Sequence, residues 1–123
     1  MHRSRLAGFI LDCRTDDLPA ASRFWSAALG MPVSDRDPPL YDRLDAGARD
    51  LHVEVQRVEH ESRVHVDIES DDVEAEVRRL EALGARRVAA VKTWVVLEAP
   101  TGQRFCVVRG KNLDTAAGVT TWP

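Results

Sequence analysis

From Leu6 to Cys13 the chain alternates, with Phe9, Leu11 and Cys13 on one face and Gly8, Ile10 and Asp12 on the other. This is the period-two pattern of a strand, and the first face is suited to lie under a helix. The period then changes. Leu18, Ala21, Phe24, Trp25, Ala28 and Leu29 form one apolar stripe at helical spacing, which predicts a helix from about Asp17 to Leu29. Asp16 or Asp17 can cap its start, Pro19 suits its first turn, and Gly30 suits the left-handed position after its end. Three shorter strands are expected around Pro32-Val33, Leu40 to Leu44 and Leu51 to Val58, parted by a Pro38-Pro39 turn and a loop from Asp45 to Asp50.

The same order then recurs. A strand is expected at Val64 to Ile68, followed by a helix from about Asp72 to Leu83 with a buried stripe of Val73, Val77, Leu80 and Leu83. Asp71 with Glu74 reads as a capping box and Gly84 closes the helix. Strands fit Arg87 to Val91, Thr93 to Leu97 and Arg104 to Val108, with Pro100-Thr101-Gly102 as a turn. The recurrence is also literal. Ile10-Leu-Asp-Cys-Arg-Thr-Asp-Asp-Leu18 matches His65-Val-Asp-Ile-Glu-Ser-Asp-Asp-Val73, which makes the chain a duplicated module and sets Ile10 against His65 and Asp12 against Asp67. Residues 110–123 show no clear period. They read as a loose tail, or as a segment in which Val119 and Trp122 fold back over an apolar surface or reach a partner.

Composition narrows the function classes. The 123 residues, 44% of them hydrophobic, suffice for one domain built from two modules. A net charge of −3, with basic and acidic residues interleaved, gives no footprint for nucleic acid or an anionic membrane. Cys13 and Cys106 form neither a CxxC nor a disulfide framework, so a cytoplasmic protein is expected. No run approaches a membrane span, and Met1 to Leu11 lacks the apolar stretch of a signal peptide.

Several motifs carry a resemblance: Phe24-Trp25 before Ala28-Leu29-Gly30, the run His65 to Val73, Leu80-Glu-Ala-Leu-Gly-Ala85 and Pro100-Thr-Gly-Gln-Arg-Phe-Cys106. In order and spacing, over about residues 6 to 109, the chain resembles the glyoxalase, bleomycin-resistance and extradiol-dioxygenase (vicinal oxygen chelate) superfamily. Gln56-Arg57-Val58, Arg63-Val-His-Val-Asp67 and Phe105-Cys106-Val107-Val108 are similar to a glyoxalase-like subgroup of it. The resemblance implies an α+β fold in which two βαβββ modules curl into a half-open barrel around a cavity, often completed by a homodimer. It divides a single domain of residues 1–123 into modules at about 6–58 and 63–109 and a tail at 110–123.

Metal-dependent members take ligands from the first and last strands of each module. Carried over by position, His65 matches, Ile10 cannot ligate, and Cys106 stands where the family has Glu. The remaining position falls on Glu54, or on His52 or Val53 if the hairpin shifts by one residue. The surviving set of His65, Glu54 and Cys106 suits zinc or iron. The shortfall from four ligands favours a protein without a complete metal site or cofactor.

Other residues have two readings each. His65 is a buried strand histidine or a general base. Asp12 and Asp67 form an acid/base pair, or each caps a turn or pairs with an Arg such as Arg14 or Arg63. Trp94 shares a face with Val96 and Glu98 and can stack on a planar ligand if that face points inward. His52, Glu54 and Gln56 supply a polar wall, with Ile10 and Val108 opposite as an apolar one. The expected function is binding of a small organic molecule. The alternatives are a metal- or His/Asp-dependent lyase, isomerase or oxygenase, and a structural subunit.

Overall fold

The computed structural model describes residues 1–37 and 39–123, so half of the expected Pro38-Pro39 turn lies outside the described residues. The element order is β1 (His2–Arg14), α1 (Leu18–Leu29), β2 (Val33–Asp37), β3 (Tyr41–Asp45), β4 (His52–Val58), β5 (Arg63–Ser70), α2 (Val73–Ala82), β6 (Arg86–Val91), β7 (Trp94–Glu98), β8 (Arg104–Arg109) and β9 (Thr120–Trp122). The succession β-α-β-β-β thus occurs twice in a mixed α+β chain, before a short final strand. Neither helix is long and apolar enough to cross a membrane. The chain forms two compact units, Gly8–His65 and Met1–Ala7 with Val66–Pro123, and the division cuts through the continuous strands β1 and β5.

In the unit Gly8–His65 the strands run in the order β2-β3-β4-β1. β4 lies parallel to β1, which sets His52 opposite Gly8, Glu54 opposite Ile10 and Gln56 opposite Asp12. Leu11, Leu44, Val53 and Val55 pack with Leu18 of α1 into the core, and Cys13, Ala21 and Trp25 close on it. The Asp17 carboxylate accepts from the Ala20 N–H at 3.1 Å, and Gly30 ends the helix at φ 68°. Asp17→Ala should cost about 1 kcal/mol in urea denaturation, the usual weight of an N-cap.

Phe24 departs from the expected stripe. It is 62% exposed and meets Trp25 edge-on at 5.1 Å. Six residues beyond Leu18, it lies about 120° round the helix from the buried line, and Ser22 takes the inner place. Phe9 is likewise 36% exposed, although it shares its strand face with Leu11 and Cys13. β2 outruns its expected length because a solvated edge strand carries no hydrophobic alternation: Ser34 to Asp37 are all exposed.

In the other unit the order is β5-β8-β7-β6, and β5 lies parallel to β8 with Asp67 opposite Cys106. Val77 and Leu80 of α2 pack on Val95, Leu97 and Val107. Asp72 caps α2 by accepting from the Ala75 N–H at 3.0 Å, whereas Asp71, expected in that role, accepts from the Arg3 N–H at 2.8 Å.

The tail is not loose. β9 pairs antiparallel with the start of β1, placing Trp122 opposite His2. The Trp122 indole donates to Ser4 Oγ at 2.9 Å, and the Arg79 guanidinium lies 3.7 Å over its ring. Arg79 in turn grips the fully buried Glu76 carboxylate at 2.7 and 2.9 Å, and His2 Nε2 meets the same carboxylate at 2.8 Å. Burial by itself would raise the Glu76 pKa. The hydrogen bonds from Arg79, His2 and Ser4, with the Arg79 charge, outweigh it and hold the carboxyl at about 2.

Candidate functional site

Because strand residues alternate between faces, the face of β1 turned away from α1 carries Gly8, Ile10 and Asp12. The register sets the expected polar wall of His52, Glu54 and Gln56 beside them. Ile10 is buried, and His52 Nε2 stands 3.3 Å from Glu54 Oε1, so these two wall residues are engaged with each other. Gly8 is there for want of a side chain. A Cβ on it would lie 1.8 Å from the His52 carbonyl oxygen.

Asp12 and His65 form the chief polar contact on this face. His65 Nδ1 lies 2.6 Å from Asp12 Oδ2, and only 2% of the Asp12 side chain is exposed against 13% for His65. A buried carboxylate requires such a partner. Accepting from Nδ1–H, it fixes the imidazole orientation and places the lone pair of the neutral ring on Nε2. Arg63 Nε approaches the same Asp12 oxygen at 3.8 Å. Asp12 Oδ1 is buried and has no hydrogen-bond partner among the described residues.

The strand β5 continues through His65, Asp67 and Glu69 on one face. Asp67 stands in register with Cys106 of β8, and Cys106 with Val96 of β7. Val95, Leu97 and Val107 are core residues under α2, so alternation puts Trp94, Val96, Cys106 and Val108 on the face turned away from that helix. Donor atoms of His65, Asp67 and Cys106 lie within 4.8 Å of one another. Glu54, expected as a ligand from the resemblance, is not in this group, and Asp67, expected as an acid/base residue, is. An imidazole, a carboxylate and a thiol are together a donor set for zinc-like ions, and the three residues fit such an ion in chemistry.

The second thiol differs. Cys13 packs against the apolar core, donates to the Leu11 carbonyl at 3.4 Å, and is held above the usual thiol range chiefly by burial. Among the described residues it belongs to no such group of donors. The sequence offered His65 with an aspartate but not which one, because the repeat aligns Asp12 with Asp67 and His65 with Ile10. Face alternation offered both residues, yet contained no signal that they meet.

The family model for the glyoxalase-like domain matches residues 8–108. The chain belongs to the glyoxalase-like family. Among solved structures, the fold matches methylmalonyl-CoA epimerase from Mycobacterium tuberculosis at 15% identity and a TM-score of 0.65, over 91% of this chain and 92% of that one. It also matches the Mn(II)-bound glyoxalase from Novosphingobium aromaticivorans at 19% identity and a TM-score of 0.63, over 90% of this chain and 43% of that one. Homoprotocatechuate 2,3-dioxygenase from Brevibacterium fuscum matches at 19% identity and a TM-score of 0.60, over 85% of this chain and 36% of that one. No curated protein matches the chain in sequence. At these identities the structures establish the fold, and the expected glyoxalase-like α+β architecture is the one found.

Proposed function

We propose that this glyoxalase-like protein binds a small organic molecule and exchanges a proton with it through His65, oriented by Asp12. The observation that carries the reading is the 2.6 Å contact from His65 Nδ1 to a carboxylate that is nearly all buried. Such a pair orients the imidazole for proton exchange, and the Asp12 charge stabilises the imidazolium that results. His52 and Gln56 supply hydrogen-bonding groups on the same face, the kind of group that orients a small ligand, whereas Ile10, expected as an apolar wall, is buried. The epimerase among the matching structures supports this choice, because inverting a carbon that bears hydrogen requires a proton to leave and return. A second reading adds a divalent ion at His65, Asp67 and Cys106, favoured by their donor atoms lying within 4.8 Å. Such an ion would supply Lewis-acid polarisation of a substrate oxygen.

The test is deuterium wash-in. Chelator-treated protein in D2O is incubated with a panel of small carbonyl compounds bearing an acidic α-hydrogen, and loss of that proton signal is followed by NMR. The wild type should exchange at least one compound, and His65→Gln and Asp12→Asn should each slow it by about 10²–10⁴-fold, the weight of a positioned general base. Exchange that persists in His65→Gln, or no exchange by the wild type with any compound, overturns the reading.

A further inference from the structure

We infer that the small molecule taken by His65 is a short carbonyl carboxylate, and that Arg63, with Arg14 beside it, is the specificity-determining cation that binds its charge. This rests on the reading of His65 as the proton-exchanging group and names the class of its substrate. Every residue concerned lies in the unit Gly8–His65. Arg63 and His65 alternate onto one face of β5, and both approach the same Asp12 oxygen, the imidazole at 2.6 Å and the guanidinium Nε at 3.8 Å. A guanidinium placed only to neutralise Asp12 would take it as a fork at about 2.8 Å. At 3.8 Å it makes no hydrogen bond to it, and 45% of the Arg63 side chain is exposed.

The turn between β4 and β5 holds this cation in place. His60 Nδ1–H donates to the Glu61 carbonyl at 2.8 Å, which leaves Nε2 of the neutral ring to accept from Arg63 Nη2 at 3.4 Å. Arg63 Nη1 has no partner among the described residues. The Arg14 N–H donates to Ser62 Oγ at 2.9 Å, so the end of β1 is tied to the same turn. Arg14 is exposed, shares the face of Asp12 by alternation, and makes no ion pair among the described residues. Of the acids on this face, Asp12 is 2% exposed and Glu54, engaged with His52, is 12% exposed. A ligand arriving from solvent therefore meets the arginines before the carboxylates, which favours an anion and repels a cation. The planar guanidinium matches the two oxygens of a carboxylate. Because guanidinium and imidazole converge on one oxygen, the charge and the acidic carbon of the substrate must lie within a few bonds of each other, as in 2-oxo acids.

The experiment is a calorimetric binding titration of the full chain, treated with chelator, using 2-oxobutyrate and its methyl ester, which keeps the carbonyl and loses the charge. The wild type should bind the acid about 10–100-fold more tightly than the ester, the weight of hydrogen bonds between charged groups. Arg63→Gln should remove that preference and leave the affinity for the ester unchanged. Arg63→Lys, which keeps the charge without the fork, should restore part of it. His60→Ala and Arg14→Gln should each weaken binding of the acid and not of the ester. Arg78→Gln deletes the same charge from an exposed position on α2 and should leave the preference intact. Equal affinities for acid and ester in the wild type, a preference that survives Arg63→Gln, or no binding of the acid at millimolar concentration overturns the inference. Should Arg63→Gln fail to fold, Arg63→Lys and Arg14→Gln carry the same comparison. Binding is read without turnover, so a chain that takes the acid but fails the deuterium wash-in loses the proton-exchange reading alone. One that exchanges uncharged compounds and shows no preference for the acid loses only the substrate class.

Discussion

Glu76→Gln should cost about 3 kcal/mol of stability at neutral pH and flatten the acid limb of the stability profile. The wild-type carboxyl is depressed from 4.5 to about 2, and a group whose pKa is lowered on folding contributes fully above its unfolded value. That contribution falls away as the pH drops from about 4.5 towards 2. The substitution keeps the shape of the side chain but removes the charge that Arg79 and His2 share, leaving two donors facing a neutral amide. Urea denaturation from pH 7 down to pH 2 checks it. A wild-type stability that steepens below pH 4.5 and a variant curve that does not is the expected pair. Parallel curves would mean that the contacts of Glu76 contribute nothing net.

Gly8→Ala should be at least as damaging, by a steric route. The added methyl would lie 1.8 Å from the His52 carbonyl oxygen, 2.6 Å from its carbon and 2.7 Å from the His52 nitrogen. All three are backbone atoms, so no side chain can turn away and β1 must part from β4. The register from Gly8–His52 to Arg14–Val58 then loosens, and Asp12 moves with it. A loss of about 3 kcal/mol or more is expected, above the usual cost of overpacking because ladder hydrogen bonds go with it. The NMR signal of the His65 Nδ1 proton, strongly shifted while Asp12 accepts from it, should return towards solvent exchange. A stable Gly8→Ala with that signal unchanged would show that the two strands have slack.

Alternation and helical stripes placed most elements to within one or two residues. Asp17 and Gly30 are the helix ends their chemistry predicted, and Val95 and Leu97 are core residues on the face that left Trp94 outside it. Where the pattern failed, a physical reason is at hand. β2 is wet and β9 is three residues long, so neither has a hydrophobic period to read. Phe24 looked like core because it is large and apolar, but helix geometry puts it off the buried line. The sequence placed the candidate residues on strand faces but did not pair them. Periodicity gives the face on which Asp12, His65, Asp67 and Cys106 stand, whereas the neighbour of each depends on which strand lies beside its own. The resemblance pointed to Glu54 beside His65 and Cys106, whereas the β5–β8 register sets Asp67 opposite Cys106.

The unit closed by Glu76, Ser4 and Trp122 takes its first seven residues from one end of the chain and the rest from residues 66–123, while Gly8–His65 is continuous. During synthesis the continuous unit has all its strands as soon as residue 65 is available. The N-terminal segment must wait, with His2 and Ser4 unpaired, until α2 and finally Trp122 emerge. Closing a ring of that span is the slow, non-local kind of contact. The order of synthesis along these residues therefore leaves β1 to be completed by β9, made more than a hundred residues later.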